Sequence, residues 1–247
     1  MKKIALICVY NNKTIFESYL LKSVNDFQID CERIFIDNTD GRYRSAAGAF
    51  NFALAETKAD VFIFAHQDIY IKNKETFLAF ADKVENGGFA VFGAQGAVYD
   101  KKEPVTCITC GKEDMYESGN WSYKDDSVEV DTVDEGFFGF NRETSKRLAG
   151  FDEALTDGWH LYSVNASLKI RRKGGKVYVV PCQIYHKSMG HISIDYMHSL
   201  KKLAAEYRRD FKYIWTTNYK IRTNPLYVNG LIFIWSLFRI IRGKGVQ

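Results

Sequence analysis

Proline is scarce in this chain, with three among 247 residues, and no low-complexity stretch occurs, so no flexible linker divides it. No internal repeat is present, which excludes a solenoid or a propeller. A P-loop and a GxGxxG fingerprint are both missing, which argues against ATP-type and dinucleotide sites. The five cysteines (Cys8, Cys31, Cys107, Cys110 and Cys182) are an odd, scattered set and make no disulfide framework. Most are expected to be reduced and at least partly buried. Cys107 and Cys110 lack a second ligand pair and a thioredoxin-like context, so neither zinc nor redox chemistry is expected of them. Met1 runs directly into the apolar residues 4–9 with no cleavage pattern, so a cytoplasmic setting is expected rather than secretion. Acidic residues are missing after Asp210, where Lys212, Lys220, Arg222, Arg239, Arg242 and Lys244 all lie. Without those six charges the chain's +4 becomes −2, so the basic character belongs to the tail and implies no nucleic-acid partner.

What is present is a globular composition, 46% hydrophobic and 26% charged, in a length that suits one large domain or a domain with an appendage. Residues 3–9 (KIALICV) read as a short strand ending in the turn Tyr10-Asn11-Asn12. Thr14, with Glu17 three residues on, reads as a helix cap; Phe16, Leu20, Leu21 and Val24 follow at helical spacing. Residues 33–36 (RIFI) make a second strand, closed by Asp37-Asn38-Thr39-Asp40-Gly41. An alanine-rich helix is expected over 45–57, an almost wholly apolar strand over 60–65, a helix near 74–84 and a strand at 89–93. This alternation predicts an α/β fold, a mostly parallel sheet with helices on both faces. Ligands of such sheets sit beyond the carboxyl ends of the strands. The polar clusters 10–12, 37–41 and 66–68 all fall at such ends, on one mouth.

A nucleoside diphosphate sugar is one ligand that fits such a mouth. Its leaving diphosphate needs electrophilic help, which a divalent cation anchored by a strand-end carboxylate supplies. Asp68, directly after the third strand, stands where that carboxylate belongs. Asp37 can accept hydrogen bonds from a base or a ribose, and Arg42 and Arg44 can reach phosphate. Trp121 and Trp159 can stack on sugar rings, Trp121 from an acceptor-side loop in the polar stretch 117–126. Each residue also has a plainer reading: Asp37 as part of a turn, Asp68 as a cap, His66 as a core histidine, Trp121 and Trp159 as packing aromatics.

The pieces VYNN (9–12), FIDNTDG (35–41), RSAAGAFNFAL (44–54), FAHQD (64–68), VDEGFFGFNRE (133–143), FDEAL (151–155), GWHLY (158–162), GGKVYVVP (174–181) and HKSMG (186–190), in that order, resemble family 2 glycosyltransferases. More closely, they are similar to the branch with HQD where the usual DxD metal motif stands. The resemblance implies the GT-A fold, that of nucleotide-diphospho-sugar transferases. It implies that Tyr10, Asn11, Asp37, Asn38, Arg44, Asn51, His66 and Gln67 bind the donor, a UDP-sugar or similar. Asp68 and His186 would hold Mn²⁺ or Mg²⁺, the nitrogen ligand favouring Mn²⁺. Asp134, Gly136 and Trp159 would shape the pocket for a glycan or lipid-linked acceptor, and transfer would invert the anomeric carbon. One departure stands out. The family's general base is an acid at the start of the helix after GWHLY, and here that stretch is Tyr162-Ser163-Val164-Asn165. Asp157 and His160 are the two substitutes. If neither serves, the chain binds a nucleotide sugar and transfers it weakly, or acts as a membrane-associated assembly protein. A sugar-phosphate nucleotidyltransferase would need a basic glycine-rich loop after the first strand, where residues 10–14 offer only Lys13.

Residues 194–211 read as an amphipathic helix with Tyr196, Leu200, Leu203 and Tyr207 on one stripe. After Pro225, residues 226–241 are nearly all apolar but fall short of the ~20 that cross a bilayer. Tyr227, Trp235 and the flanking basic residues suit an anionic membrane surface. A helix folded back on the core, or a dimer contact, is the other reading. A transferase domain is therefore expected over 1–212 and a helical tail over 213–247. The expected role is metal-dependent sugar transfer at the inner face of the plasma membrane, in cell-surface polysaccharide or glycolipid synthesis.

Overall fold

The first strand, Ile4–Tyr10, sends Ala5 and Ile7 into one core and Leu6 and Cys8 into another, all four fully buried. Val61–Ala65 divides in the same way, Phe62 and Phe64 to one side and Val61, Ile63 and Ala65 to the other. Strands apolar on both faces require helices on both faces, and that requirement sets the architecture. The computed structural model describes residues 3–99, 101, 103–111, 119–188 and 192–241.

The central sheet has seven strands, in the order Glu32–Asp37, Ile4–Tyr10, Val61–Ala65, Phe137–Asn141, Ala90–Gly93, Lys176–Val179, Val128–Glu129. Phe137–Asn141 runs antiparallel to both its neighbours, and Val128–Glu129 antiparallel to Lys176–Val179; the other pairs are parallel. Helices Ala46–Glu56 and Tyr162–Arg172 pack on one face. Lys74–Asn86 and the helical stretch 13–26 pack on the other. Phe64 sits under the mouth with its ring 4.9 Å from that of Phe50, 4.8 Å from Phe138 and 5.3 Å from Phe151. Such interlocked rings give the mouth a stiff floor.

The first helix begins at Lys13, not after Thr14. Asn12 is its cap, accepting the Ile15 N–H at 3.1 Å, so the cap lies two residues earlier than the Thr14/Glu17 pattern indicates. Ser45 and Asn73 cap the next two helices in the same way. The helix expected over 194–211 ends at Glu206, because residues 207–210 turn the chain into the hairpin Tyr213–Trp215/Lys220–Arg222.

A short three-stranded sheet matters more for function than its size indicates. Ile69–Ile71 runs antiparallel to Ile184–His186, with His186 opposite Ile69, and Thr109–Cys110 adds a parallel edge. Two segments over a hundred residues apart are thereby joined immediately after Asp68.

The C-terminal elements form a third core. Val228, Leu231, Ile232 and Trp235 of helix Pro225–Ile241 pack on it, while Leu226, Tyr227, Phe233 and Ile234 face outward. Among the described residues, no helix is long and apolar enough to cross a membrane. None of the five cysteines is in a disulfide, and Cys8, Cys107 and Cys182 are buried. Cys107 exchanges hydrogen bonds with the backbone of Cys182, a packing role.

Candidate active site

Three chain segments meet above the third strand. Asp68 Oδ1 lies 3.2 Å from His186 Nε2, and its Oδ2 accepts the Ser188 N–H at 3.1 Å. The His66 ring stands 5.5 Å from the His186 ring. His66 Nε2 is 2.9 Å from the Tyr162 hydroxyl, and the His66 N–H donates to the Gly136 carbonyl at 2.9 Å. One ligand atom each from His66, Asp68 and His186 lies within 4.8 Å of the others.

The electrostatics follow from this packing. Burial alone would raise the Asp68 carboxyl, but the hydrogen bond and charge of His186, with His66 and Ser188 behind, hold it well below the usual carboxylate range. Burial opposes a charge on His186, yet Asp68 outweighs it and raises that imidazole. Burial and then the neighbouring His186 lower His66. The set is thus an ionised carboxylate with two imidazoles, a mixed O/N donor set that suits Mn²⁺ or a similar borderline cation. The residues present fit a divalent metal.

Beside them a cavity of about 380 Å³ is lined by Asn11, Ala46, Phe50, His66, Gln67, Asp68, Trp159, Tyr162 and Ser188, among others. Gln67 holds its rim: Oε1 accepts the Asn11 and Asn12 N–H groups at 3.0 and 2.9 Å, and Nε2 donates to Asn11 Oδ1 at 2.8 Å. The Tyr10 hydroxyl donates to Asp37 Oδ2 at 3.1 Å, while Asp37 Oδ1 accepts from both N–H and hydroxyl of Thr39. These bonds, the Thr39 hydroxyl first, lower the exposed Asp37 carboxyl.

Other residues singled out in the sequence are engaged differently. Asn38 is buried, and its amide clamps the backbone of Tyr43 at 2.8 and 3.1 Å. Asn51 ties its helix to Phe151 N–H, Phe151 carbonyl and Glu153. Arg44 and Asp157 line an adjoining cavity with Trp159 and His198, and Asp157 is exposed and paired with Lys202 at 2.7 Å. Trp159 borders both cavities. Trp121 donates to the Asp125 carbonyl and packs its ring at a tilt against Tyr123, a local packing role. Met189, Gly190 and His191 lie outside the described residues.

Glu135 is the residue the sequence did not single out. Its Oε2 accepts the Leu161 N–H at 2.5 Å and its Oε1 lies 3.3 Å from His160 Nδ1. Leu161 has φ +65, a left-handed conformation uncommon for a leucine, held here at the start of helix Tyr162–Arg172. Ser163 and Asn165, standing where acids are expected, are buried; Ser163 donates to the Val133 carbonyl at 2.9 Å and Asn165 accepts from Tyr207 at 2.7 Å. Asp134 accepts the Gly136 N–H at 2.9 Å and the Thr217 hydroxyl at 2.8 Å.

Residues 5–207 match the sequence profile of a family described as "Glycosyltransferase like family". No curated protein matches the chain. Among solved structures, GalNAc-T7 with UDP, GalNAc and Mn²⁺ is similar at 12% identity and a TM-score of 0.60, over 82% of this chain and 48% of that one. The mannosyltransferase PcManGT from Pyrobaculum calidifontis, in complex with GDP-Man and Mn²⁺, is similar at 12% identity and 0.56, over 94% and 70%. TarS 1-349 of S. aureus, in complex with UDP-GlcNAc, is similar at 15% identity and 0.52, over 85% and 68%. These likenesses show the GT-A fold. The chain spans about half the length of the GalNAc-T7 chain.

Proposed function

The chain belongs to the glycosyltransferase-like family, and from that premise we propose that it moves a sugar from a nucleoside diphosphate donor to a glycan or lipid-linked acceptor, with inversion. The observation that carries the reading is the His66, Asp68 and His186 cluster at the mouth of the parallel strands. The HQD triplet takes the place of DxD: Asp68, His66 and His186 would hold Mn²⁺ or Mg²⁺, which when bound offsets the charge of the departing diphosphate. Asn11 and Gln67 border the donor cavity, and Asp37 with Tyr10 offers a strand-end acceptor to base or ribose. The solved relatives in complex with UDP or GDP-Man and Mn²⁺ support this donor class. The acceptor proton goes to His160: with Nδ1–H donated to Glu135, Nε2 is the basic nitrogen. Asp157, held outward by Lys202, is the weaker choice.

Thermal unfolding with a panel of nucleoside diphosphates and their sugars, each with Mn²⁺ and with chelator, tests the reading. One nucleotide class is expected to raise the Tm by about 5–10 °C at a hundredfold excess over Kd, and chelator to remove the rise. A panel with no metal-dependent shift sinks the transferase reading and leaves a donor-free assembly protein.

On this proposal the transferase unit is 1–212, with the tail as its link to a membrane on the cytoplasmic side. Arg208, Arg209, Lys212 and Arg222 line one hollow beside Pro225, next to the outward Leu226, which is 83% exposed, and Tyr227. Basic and apolar groups side by side suit an anionic bilayer surface. The chain is expected to co-sediment with phosphatidylserine vesicles and not with phosphatidylcholine ones. Equal recovery with both, or with neither, removes the membrane from the proposal.

A further inference from the structure

A further cavity, of about 360 Å³, has Thr217, a hydrogen-bond partner of Asp134, in its wall. Two stretches remote in sequence line it, described residues between Ala97 and Pro104 on one side and residues 215–220 of the hairpin on the other; the strand Thr132–Val133 pairs beside Ala97. The Thr132 hydroxyl donates to the Trp215 carbonyl, fixing the hairpin against the transferase core. Tyr99 is 59% exposed, with its ring 5.3 Å from Trp215 and 6.1 Å from Tyr213. Lys220 Nζ lies 4.2 Å from the Trp215 centroid, and Lys101, Glu103, Thr217 and Asn218 supply the polar rim.

The cavity connects to the reaction site through one carboxylate. Thr217, in its wall, donates to Asp134 Oδ2, and Asp134 Oδ1 faces Gly136. A Cβ built on Gly136 would lie 3.3 Å from that Oδ1 and 3.5 Å from His186 Cε1, so the acid and the metal-site histidine flank the same glycine. A ring left open to solvent beside hydroxyl, amide, ammonium and carboxylate groups is poor core packing. It is what a pyranose needs, with its C–H face on the aromatic plane and its hydroxyls on the rim.

We infer that this cavity is an acceptor subsite that takes a carbohydrate ring, stacked on Tyr99 with Trp215 edge-on beside it, so that the acceptor is a saccharide and not a bare lipid phosphate. The assignment rests on the transferase reading for the word acceptor, but the saccharide site stands on its own geometry. The hairpin 213–222 is then part of the recognition surface, and the tail contributes to substrate choice.

Saturation-transfer difference NMR on the full chain, with a panel of hexose- and N-acetylhexosamine-containing di- and trisaccharides, tests it. At least one saccharide class is expected to bind, and Tyr99→Ala to weaken it about tenfold, the scale of one aromatic contact. Because Tyr99 is exposed, that variant keeps its fold, and its nucleotide-induced thermal shift should match the parent's. No saccharide bound by the parent, or undiminished binding by Tyr99→Ala, overturns the subsite. Loss of the nucleotide shift in Tyr99→Ala also overturns it, since the two cavities would then not be separate. If the parent binds saccharides but no nucleotide with metal, the subsite survives and the transferase reading fails.

Discussion

Asp68→Asn is expected to abolish metal-dependent nucleotide binding, with Mn²⁺–nucleoside diphosphate affinity falling about a hundredfold or more by calorimetry. Asparagine keeps the volume of Asp68 and can still accept the Ser188 N–H. What it loses is the negative charge, in a site where the other two donors are neutral imidazoles once a cation is bound. Removing groups that merely orient metal ligands costs about 10–100-fold, so removing the only anionic ligand of the cluster should cost at least the upper end. The variant's melting temperature without nucleotide should stay within a few degrees of the parent's, because Asp68 lies at the mouth and not in either core. Tight, chelator-sensitive nucleotide binding by Asp68→Asn would falsify the assignment of Asp68 as a ligand.

His160→Ala is expected to lower kcat for transfer by about 10²–10⁴, the range for losing a positioned base, with the donor Kd unchanged. The two candidates for this role differ in what holds them. Asp157 Oδ2 is 2.7 Å from Lys202 on an exposed edge, which fixes it outward. His160 is backed by Glu135, and Glu135 also takes the N–H of left-handed Leu161, so the ring and the start of the helix are held by one carboxylate. Added imidazole should restore part of the rate to His160→Ala, which a purely structural defect would not allow. Asp157→Ala should stay within about twofold of the parent by the same reasoning. The reverse pattern, a dead Asp157→Ala and an active His160→Ala, would move the base to Asp157.

Much of the frame was readable because burial on two faces leaves a mark in sequence. VFIFA at 61–65 has no polar position, so only a strand covered on both sides accommodates it. The three polar clusters at strand ends were readable for the same reason, since they interrupt those runs. Direction leaves no such mark. FFGFN at 137–141 is as apolar as its neighbours, and nothing in it says that it enters the sheet antiparallel between 61–65 and 90–93. His186 came to Asp68 through strands of three residues each, too short for a periodic signal. Asn51 and Asp157 looked available because their partners, Phe151 and Lys202, are set by tertiary packing. Glu135 stood unmarked inside VDEGFFGFNRE, and its importance depends on a backbone conformation at Leu161 that no sequence rule assigns to leucine.

The late, reversed strand in the middle of the sheet also sets terms for biosynthesis. Val61–Ala65 pairs on one side with Ile4–Tyr10, but its other partner, Phe137–Asn141, is translated roughly seventy residues later. At about 5–20 residues per second, a growing chain exposes that edge for about 4–14 s. The unpaired edge is VFIFA, apolar on both sides and without a charge or proline to discourage pairing with another chain. Ala90–Gly93 waits for the same strand from the other side. Until the ribosome delivers residue 141, the three paired strands and the lone Ala90–Gly93 segment are separate adhesive surfaces, and the interval before closure is when this protein most needs a chaperone.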